Sequence, residues 1–533
     1  MSVELEAPDL LAAAPSARVP VDVLRQAVVF AFAAGGSSEP FDDAVASARL
    51  PPSLWDRSDF ARDVYLDELV ARCFEVRVAG RAHAANTRWL SRVLGEPPRD
   101  AEDIETRRSV LRELAAAPEA RHQLGLVYEA IGRLRGLLCA GRPLSARGRR
   151  VEILRCAREA FELLAASFEG ATSALARLRA FGQQVVASPG HARLAALLDH
   201  EEHMGSLDLR VRVGADGEVR AMEVLAVHEP RDNPFHVSAL WRFLTRFVLF
   251  FRGYRTTPGE VAERLLIDVL GGIEEPIALC FQIHADAEVF LSSLSLRDRA
   301  AERGLAMCLP DRVPAGEGIA LEGLFNPLLL AAGVLPVATD VRAGPGAIVV
   351  VTGPNSGGKT RLLQGVAIAS MLSCAGVFAP VRAGRVPAAP GLFASLHEEP
   401  RADAPEGHLG MELLRIRRLF ERVEVGALVV LDELCSGTNP SEGEEIARLV
   451  LSLLPELRVQ AFVTTHLLQF AASLARERTV SELDFLQVDL DDRERPTYRF
   501  VPGVAKTSLA QRTAARLGVT REELLERIAS KRR

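Results

Sequence analysis

The sequence predicts a multidomain protein in which a helical region with one small β-hairpin precedes a C-terminal α/β domain. Three observations predict this fold class. Residues 58–131 and 151–179 have apolar side chains at helical spacing. Two alternating runs, 207–213 and 219–227, flank a Gly-Ala-Asp-Gly turn and indicate a hairpin. After residue 340, short β-branched runs alternate with helical segments, which is typical of a parallel sheet.

Composition and periodicity predict the N-terminal elements. Residues 1–20 are rich in Ala and Pro, which favours a frayed end, whereas the apolar residues 21–34 favour a helix. Residues 151–179 are expected to form one long helix, because their apolar positions recur every three or four residues. These positions are Leu154, Ala157, Phe161, Leu164 and Phe168.

A phosphate-binding loop is expected at residues 353–360, which have the pattern G-x-x-x-x-G-K-[ST] between a buried-type strand, 347–351, and a helical segment. In such a loop, backbone N–H groups surround the phosphates and the lysine reaches them. Only three of the 64 Lys and Arg residues are lysines, and one of them is Lys359, whose compact ammonium fits where a planar guanidinium does not. An ordinary glycine-rich turn is the alternative. The residues expected to bind nucleotide are Gly353, Pro354, Asn355, Ser356, Gly357, Gly358, Lys359 and Thr360.

Two further strands are expected to end at the same site. The first, 427–431, is followed by Asp432 and Glu433. Asp432 can bind Mg²⁺ together with the Thr360 hydroxyl, and Glu433 is placed to orient and deprotonate the attacking water. The other strand ends in Thr464-Thr465-His466, and the His466 ring is a candidate sensor of the γ-phosphate. A solvated strand end and a packing histidine are the alternatives when either motif stands alone.

These motifs resemble those of the MutS family of DNA mismatch repair ATPases. Residues 352–360 are similar to the family's TGPNxGGKS, residues 432–443 to its DExxxGTxxx[DE]G, and residues 464–466 to its ATH or TTH switch. Residues 325–328 take the place of the family's HPLL, with Asn326 for His. The resemblance implies a C-terminal α/β P-loop (ABC-like) ATPase domain that binds ATP and Mg²⁺.

Upstream the resemblance is weaker. Residues 103–114 resemble the first helix of the MutS core, residues 286–310 resemble the returning lever helix, and the hairpin lies where the family has its DNA clamp. A hairpin that only caps the helices is an equal alternative. The expected domains are 1–57, an N-terminal segment of unknown role; 58–205, the helical core and outgoing lever; 206–235, the reduced hairpin clamp; 236–322, the returning lever helices; and 323–533, the MutS-like P-loop ATPase domain.

Two departures from the family bear on function. The Ser-Thr-Phe signature, thought to reach the partner subunit's γ-phosphate, is replaced by Gly407-His408-Leu409, although Glu412 is retained. The mismatch-wedging Phe-x-Glu motif does not occur in the chain. We therefore expect a short, divergent member without the mismatch-recognition domain, which recognises double-stranded DNA that is distorted or branched.

The charge distribution gives a weak signal for DNA. Residues 1–340 contain 39 basic and 47 acidic residues, so the part expected to touch DNA is acidic overall. One basic run, 133–158, is the exception, and a solvated helix face is its alternative interpretation. The candidate phosphate contacts within it are Arg147, Arg149 and Arg150.

The remaining composition predicts location and partners. The seven cysteines have no C-x-x-C pairing, and the first twenty residues lack the pattern of a signal peptide, so we expect a cytoplasmic protein without a membrane partner. The expected function is ATP hydrolysis that switches a DNA-bound homodimer, with repair proteins as possible partners. The alternatives are a nucleotide-switched scaffold with little turnover and an ABC-type ATPase of another process, although the latter's Leu-Ser-Gly-Gly-Gln signature is missing.

Overall fold

The computed structural model describes most of the chain and divides it into two compact units. The described residues are 5–140, 146–202, 206–213, 219–228, 266–396, 407–434, 439–477, 480–506 and 521–531. The first unit comprises residues 1–10, 15–48 and 119–286, and the second comprises residues 11–14, 49–118 and 287–533. The units divide the chain differently from the expected limits at residues 57 and 205, and the expected domains stay a prediction.

Helices occur in both units. In chain order they are α1 Val21–Ala34, α2 Glu39–Ala46, α3 Leu66–Cys73, α4 Thr87–Gly95, α5 Ala101–Ala116, α6 Pro118–Cys139, α7 Ala146–Ala166, α8 Leu175–Val186, α9 Pro189–Glu202, α10 Glu274–Glu302, α11 Pro327–Ala331, α12 Lys359–Ala375, α13 Gly407–Arg422, α14 Pro440–Leu453, α15 Leu468–Glu477 and α16 Arg521–Lys531. Short 3₁₀ turns lie at Arg57–Asp59 and Leu454–Leu457.

The strands of the described residues form two hairpins and two larger sheets. In chain order they are β1 Glu75–Val78, β2 Arg81–Ala84, β3 Ser206–Val213, β4 Val219–His228, β5 Asp311–Val313, β6 Ile319–Leu324, β7 Thr339–Ala343, β8 Ile348–Thr352, β9 Ala383–Pro387, β10 Leu392–Ser395, β11 Leu428–Leu431, β12 Gln460–Thr464, β13 Leu483–Leu490 and β14 Pro496–Pro502. The six-stranded sheet has the order β10-β11-β12-β8-β13-β14, and the four-stranded sheet has the order β5-β9-β6-β7.

The predicted long helix at residues 151–179 is wrong, because the structure has two helices there. Helix α7 ends at Ala166, and the chain then turns through Phe168 and Gly170, both with positive φ. Helix α8 returns against α7 so closely that a Cβ on Gly182 would lie 2.4 Å from the Ala165 nitrogen. Apolar side chains keep helical spacing across the break because both helices bury them. The spacing alone therefore does not reveal the turn between the helices.

Buried polar groups hold the N-terminal segment in the first unit, so the expected frayed end is wrong for its described part. The Arg18 guanidinium lies 3.0 Å from Asp9 and also pairs with Asp286 of α10, and all three side chains are buried. Burial raises the pKa of Asp286 to about 6, while Arg18 opposes this rise. A cluster with two carboxylates and one guanidinium therefore fixes this segment to α10.

Helix α10 is, within the described residues, the one helix long and apolar enough to cross a membrane. Its apolar stretch is fully buried in the structure, and a buried core helix passes the same test of length and composition. Its second half lies in the second unit, where the Ser295 hydroxyl accepts a hydrogen bond from the Arg77 amide at 3.1 Å. We therefore assign α10 to the protein core.

The β1–β2 hairpin corrects the expectation of helix across residues 58–131. Its two-residue turn, Ala79-Gly80, has positive φ at both positions, as a type I′ turn requires. The strands alternate between polar and apolar residues but have only four residues each, and so short an alternation does not distinguish them from a helix. Short strands of this kind depend on tertiary contacts and are hard to predict.

The six-stranded sheet agrees closely with the strands expected after residue 340. Strands β8, β11 and β12 have every residue buried, and they pair in parallel, so their carboxyl ends meet at one edge. Helix α12 follows β8 and is buried along nearly its whole length. The edge of the sheet where these strands end is the position at which open α/β sheets bind ligands.

Candidate functional site

The loop between β8 and α12, here called the glycine loop (residues 353–358), lies tightly against β13. Gly353 has φ 141°, and a Cβ at this position would lie 2.6 Å from Val488 Cγ2. A Cβ on Gly357 would lie 2.8 Å from the same methyl group, and Gly358 has φ 85°. Both space and backbone conformation therefore require glycine here.

Replacing Gly353 with Ala is expected to distort the glycine loop. The added methyl collides with Val488, and the backbone must leave φ 141°. We expect ATP affinity to fall by at least about tenfold, since even ~1 Å of misplacement is costly in a preorganised site. Isothermal titration calorimetry measures the ATP affinity of each variant. Gly136→Ala is the control, because a Cβ there has no neighbour within 4 Å; equal affinities for both variants would contradict the argument.

Lys359 is the first residue of α12 and points back into the glycine loop. Its side chain is buried, and Nζ donates to the carbonyl oxygens of Gly353 at 3.0 Å and Pro354 at 3.1 Å. Burial lowers the pKa of Lys359, whereas the nearby carboxylates of Glu433 and Asp432 raise it. A compact cation is thus held at the centre of the loop by backbone oxygens.

Asp432 receives hydrogen bonds from two hydroxyl groups, one on each side. Thr360 Oγ1 donates to Asp432 Oδ2 at 2.5 Å, and Thr464 Oγ1 donates to Oδ1. The Asp432 carboxylate and the Thr360 hydroxyl are hard oxygen ligands of the kind that Mg²⁺ prefers, and these two residues would hold such an ion. The residues present therefore fit a magnesium ion at the start of α12.

Glu433 and His466 complete the set of residues at this edge of the sheet. Glu433 is half-buried, has φ 47°, and its N–H donates to Thr464 Oγ1 at 2.8 Å. His466 is half-buried and directly follows Thr465, whose N–H donates to the Val351 carbonyl at 3.1 Å. The structure thus brings the residues that the three motifs contributed to the ends of β8, β11 and β12.

Comparison with known proteins identifies this region. Residues 349–531 match the family model described as MutS domain V, and this match includes the glycine loop and both strand-end motifs. Residues 349–531 are therefore a MutS-type domain V.

The names of relatives agree with the match to MutS domain V. The chain is 33% identical over 239 residues to a protein named Endonuclease MutS2 from Thermus thermophilus, covering 44% of this chain and 31% of the relative. It is 34% identical over 188 residues to one of the same name from Streptococcus gordonii, covering 34% of this chain and 24% of the relative. The match to these relatives thus spans less than a third of their length.

Asn326, which stands in place of the family's histidine, has a structural role beside α12. Its Oδ1 accepts from the Leu328 amide at 3.0 Å and caps α11. Its Nδ2 donates to Gln364 Oε1 at 2.8 Å and to the Arg361 carbonyl at 3.1 Å, both in α12. Asn326 therefore joins α11 to the helix that begins at Lys359.

Sequence reasoning missed two side chains beside the site. Tyr498, on the irregular part of β14, has φ 61° and is 51% exposed, and its Cδ1 lies 3.4 Å from where a Cβ on Gly358 would be. Arg415 of α13 donates to the carbonyl oxygen of Asp432 at 3.2 Å. No role at the site was expected for either residue, and only the tertiary fold brings them to the glycine loop and to the carboxylates.

The candidate DNA contacts lie in the first unit, in helix α7. Arg149 is buried and donates to the carbonyl oxygens of Leu137, Ala31 and Phe32. Arg150 donates to the carbonyl oxygens of Phe32 and Ala33, so both guanidiniums cap the end of α1. The hydrogen bonds of the buried Arg149 guanidinium to these carbonyl oxygens argue against a phosphate contact by Arg149. The side chain of Arg147 lies outside the described residues.

Several other expectations also lie outside the described residues. They concern the hairpin turn at 214–218, the part of the expected clamp and returning lever at 229–265, the side chains of Gly407-His408-Leu409 and the residues Cys435–Thr438. The strands β3 and β4 of the expected hairpin are described and pair antiparallel.

Proposed function

We propose that this chain is a Mg²⁺-dependent ATPase of the MutS type that binds DNA in the cytoplasm and uses its nucleotide state to switch the conformation of a homodimer. The observation that supports ATP hydrolysis best is the bonded set Thr360–Asp432–Thr464 beside the buried ammonium of Lys359. It combines a phosphate-binding loop, a magnesium ligand pair and an adjacent base. A strand end with only a structural role does not require a buried lysine beside it.

Each residue has a defined part in this mechanism. The N–H groups of the glycine loop and the Lys359 ammonium bind the phosphates, while Thr360 and Asp432 hold the metal. Magnesium, when bound, neutralises charge on the phosphates. Glu433 orients the attacking water and takes its proton, and His466 donates a hydrogen bond that reports the γ-phosphate.

The DNA-binding part of the proposal concerns the hairpin and the long helix. Strands β3 and β4 form a reduced clamp, and α10 is the returning lever that transmits the nucleotide state. The support is the match of residues 349–531 to MutS domain V, together with relatives named as endonucleases, which act on nucleic acid. Without a mismatch wedge, the DNA recognised is double-stranded and distorted or branched, and repair proteins are the partners.

Tyr498 is proposed as the platform on which the adenine base stacks. Its exposed ring lies beside Gly358, at the start of the helix that binds the phosphates. Tyr498→Ala is expected to weaken ATP binding about tenfold, because stacking of one base on an aromatic ring contributes ~1–3 kcal/mol. Affinity for inorganic triphosphate should not change. Tyr498→Phe keeps the ring and should bind ATP like the parent. Phe30→Ala removes an exposed ring elsewhere and should also bind ATP like the parent. Parent-like ATP affinity in Tyr498→Ala would refute the assignment of Tyr498 as the stacking platform.

The experiment for the whole proposal compares ATP hydrolysis with and without DNA. Linear, mismatched and four-way junction duplexes are titrated in gel shifts at low salt, where phosphate contacts are strongest. We expect the junction to bind most tightly and to change the hydrolysis rate, and we expect no hydrolysis in Lys359→Ala. If no duplex binds at low salt, the scaffold alternative replaces the DNA-binding proposal.

A further inference from the structure

The peptide unit between Asp432 and Glu433 decides where both acidic side chains point. Asp432 supplies its carbonyl group and Glu433 its N–H group, and the φ angle of Glu433 is 47°. A left-handed conformation is unfavourable for a non-glycine residue and persists only where surrounding bonds enforce it. The bonds at the two ends of this peptide are therefore part of the machinery that aims the carboxylates.

One end of the peptide is held by Thr464 and the other by Arg415. The Glu433 N–H donates to Thr464 Oγ1 at 2.8 Å, and Arg415 Nη2 donates to the Asp432 carbonyl at 3.2 Å. The same Nη2 donates to the Ser395 carbonyl, and Arg415 Nε donates to the Ser395 hydroxyl. Ser395 ends β10, and its carbonyl also accepts from the Asp432 amide at 2.9 Å. One guanidinium thus clamps the ends of β10 and β11.

Arg415 is mostly buried and is itself oriented from its own helix. The Glu412 carboxylate lies 3.7 Å from Arg415 Nη1, and the two side chains are 6% and 16% exposed. Near its end, α13 is fixed to residues 56–59, since Arg422 pairs with Asp56 and Asp59 and Arg418 donates to the Ser58 carbonyl at 2.7 Å. The helix is therefore anchored at one point and linked to the carboxylates at another.

We propose that Arg415 is a positioning residue that couples α13 to the metal-binding Asp432 and to the base Glu433 by holding the peptide between them. The inference rests on the proposed ATPase function. The guanidinium holds two nitrogens in one rigid plane, so that Nη2 donates to both carbonyl groups while Nε donates to the Ser395 hydroxyl. A lysine has a single nitrogen on a flexible chain and cannot reproduce this fixed set of three bonds. A displacement of α13 is thereby transmitted to both carboxylates together.

The test separates positioning from folding and from phosphate binding. The full chain is compared with Arg415→Lys, Arg415→Gln and the control Arg417→Ala, which removes an exposed arginine of the same helix that pairs with Glu421. ATP affinity is measured in EDTA with a fluorescent ATP analogue, and hydrolysis is measured against Mg²⁺ concentration. The melting temperature of each variant is recorded.

In both Arg415 variants we expect the affinity in EDTA to stay within about twofold of the parent, because the glycine loop is intact. We expect kcat to fall at least about tenfold, within the ~100-fold that a misplacement of ~1 Å can cause, and the Mg²⁺ concentration for half-maximal rate to rise. Parent-like rates and Mg²⁺ dependence in Arg415→Lys would overturn the inference while leaving the ATPase proposal intact. A loss of affinity in EDTA equal to the loss of kcat would assign Arg415 a general structural role and overturn it as well. A parent chain that binds no ATP would overturn both proposals.

Discussion

Glu433→Gln is expected to bind ATP with the affinity of the parent and to hydrolyse it about 10²–10⁴-fold more slowly, which is the contribution of a well-placed general base. The amide has nearly the shape of the carboxylate, so the hydrogen bond from the backbone N–H of residue 433 to Thr464 Oγ1 and the left-handed backbone can persist. It cannot accept the proton of the attacking water. A single-turnover measurement with saturating ATP separates this chemical step from product release.

The control for this variant is Glu421→Gln, which removes an exposed carboxylate of α13 at a distance from the strand ends. Its hydrolysis rate should equal that of the parent. If Glu433→Gln hydrolysed ATP as fast as the parent, another group would have to accept the proton, and the assignment of Glu433 as the base would be wrong.

Lys359→Ala is expected to lose ATP binding rather than to slow hydrolysis alone. The ammonium is buried inside the glycine loop, so its removal deletes a charge-assisted contact to phosphate worth about 1.5–3 kcal/mol, or roughly ten- to a hundredfold in affinity. It also leaves the Gly353 and Pro354 carbonyl oxygens without their donor. Titration calorimetry with ATP measures the loss directly.

Two matched variants sharpen this prediction. Lys506→Ala removes an exposed lysine from the same domain and should leave ATP affinity unchanged. Lys359→Arg keeps the positive charge but should bind ATP poorly, since a planar guanidinium does not fit among the loop carbonyls. An arginine variant with parent affinity would show that charge alone, and not the compact shape of the ammonium, is required.

The parts of this protein that could be predicted from sequence are those encoded by neighbouring residues. Strands β8, β11 and β12 follow from unbroken apolar runs, because a strand buried on both faces has no polar alternation. The bond between Thr360 and Asp432 follows from two motifs whose strands are parallel. The local pattern and the fold agree at these positions.

The parts that could not be predicted depend on distant segments meeting. Arg415 lies on a helix whose sequence shows only an amphipathic surface, and its bond to Asp432 requires β10 and β11 to be neighbours. Tyr498 reaches the glycine loop through an irregularity in β14 that no turn residue marks. Arg149 has the sequence signature of a phosphate contact, yet the carbonyl groups at the end of α1 bind its guanidinium.

The measurement that tests the central claim most directly is a calorimetric titration of the full chain with ATP, in Mg²⁺ and in EDTA. We predict saturable binding of one ATP per chain that is tighter in Mg²⁺, with the magnesium-dependent gain lost in Asp432→Asn and the affinity lowered roughly ten- to a hundredfold in Lys359→Ala. A parent chain that binds no ATP under either condition would contradict the account.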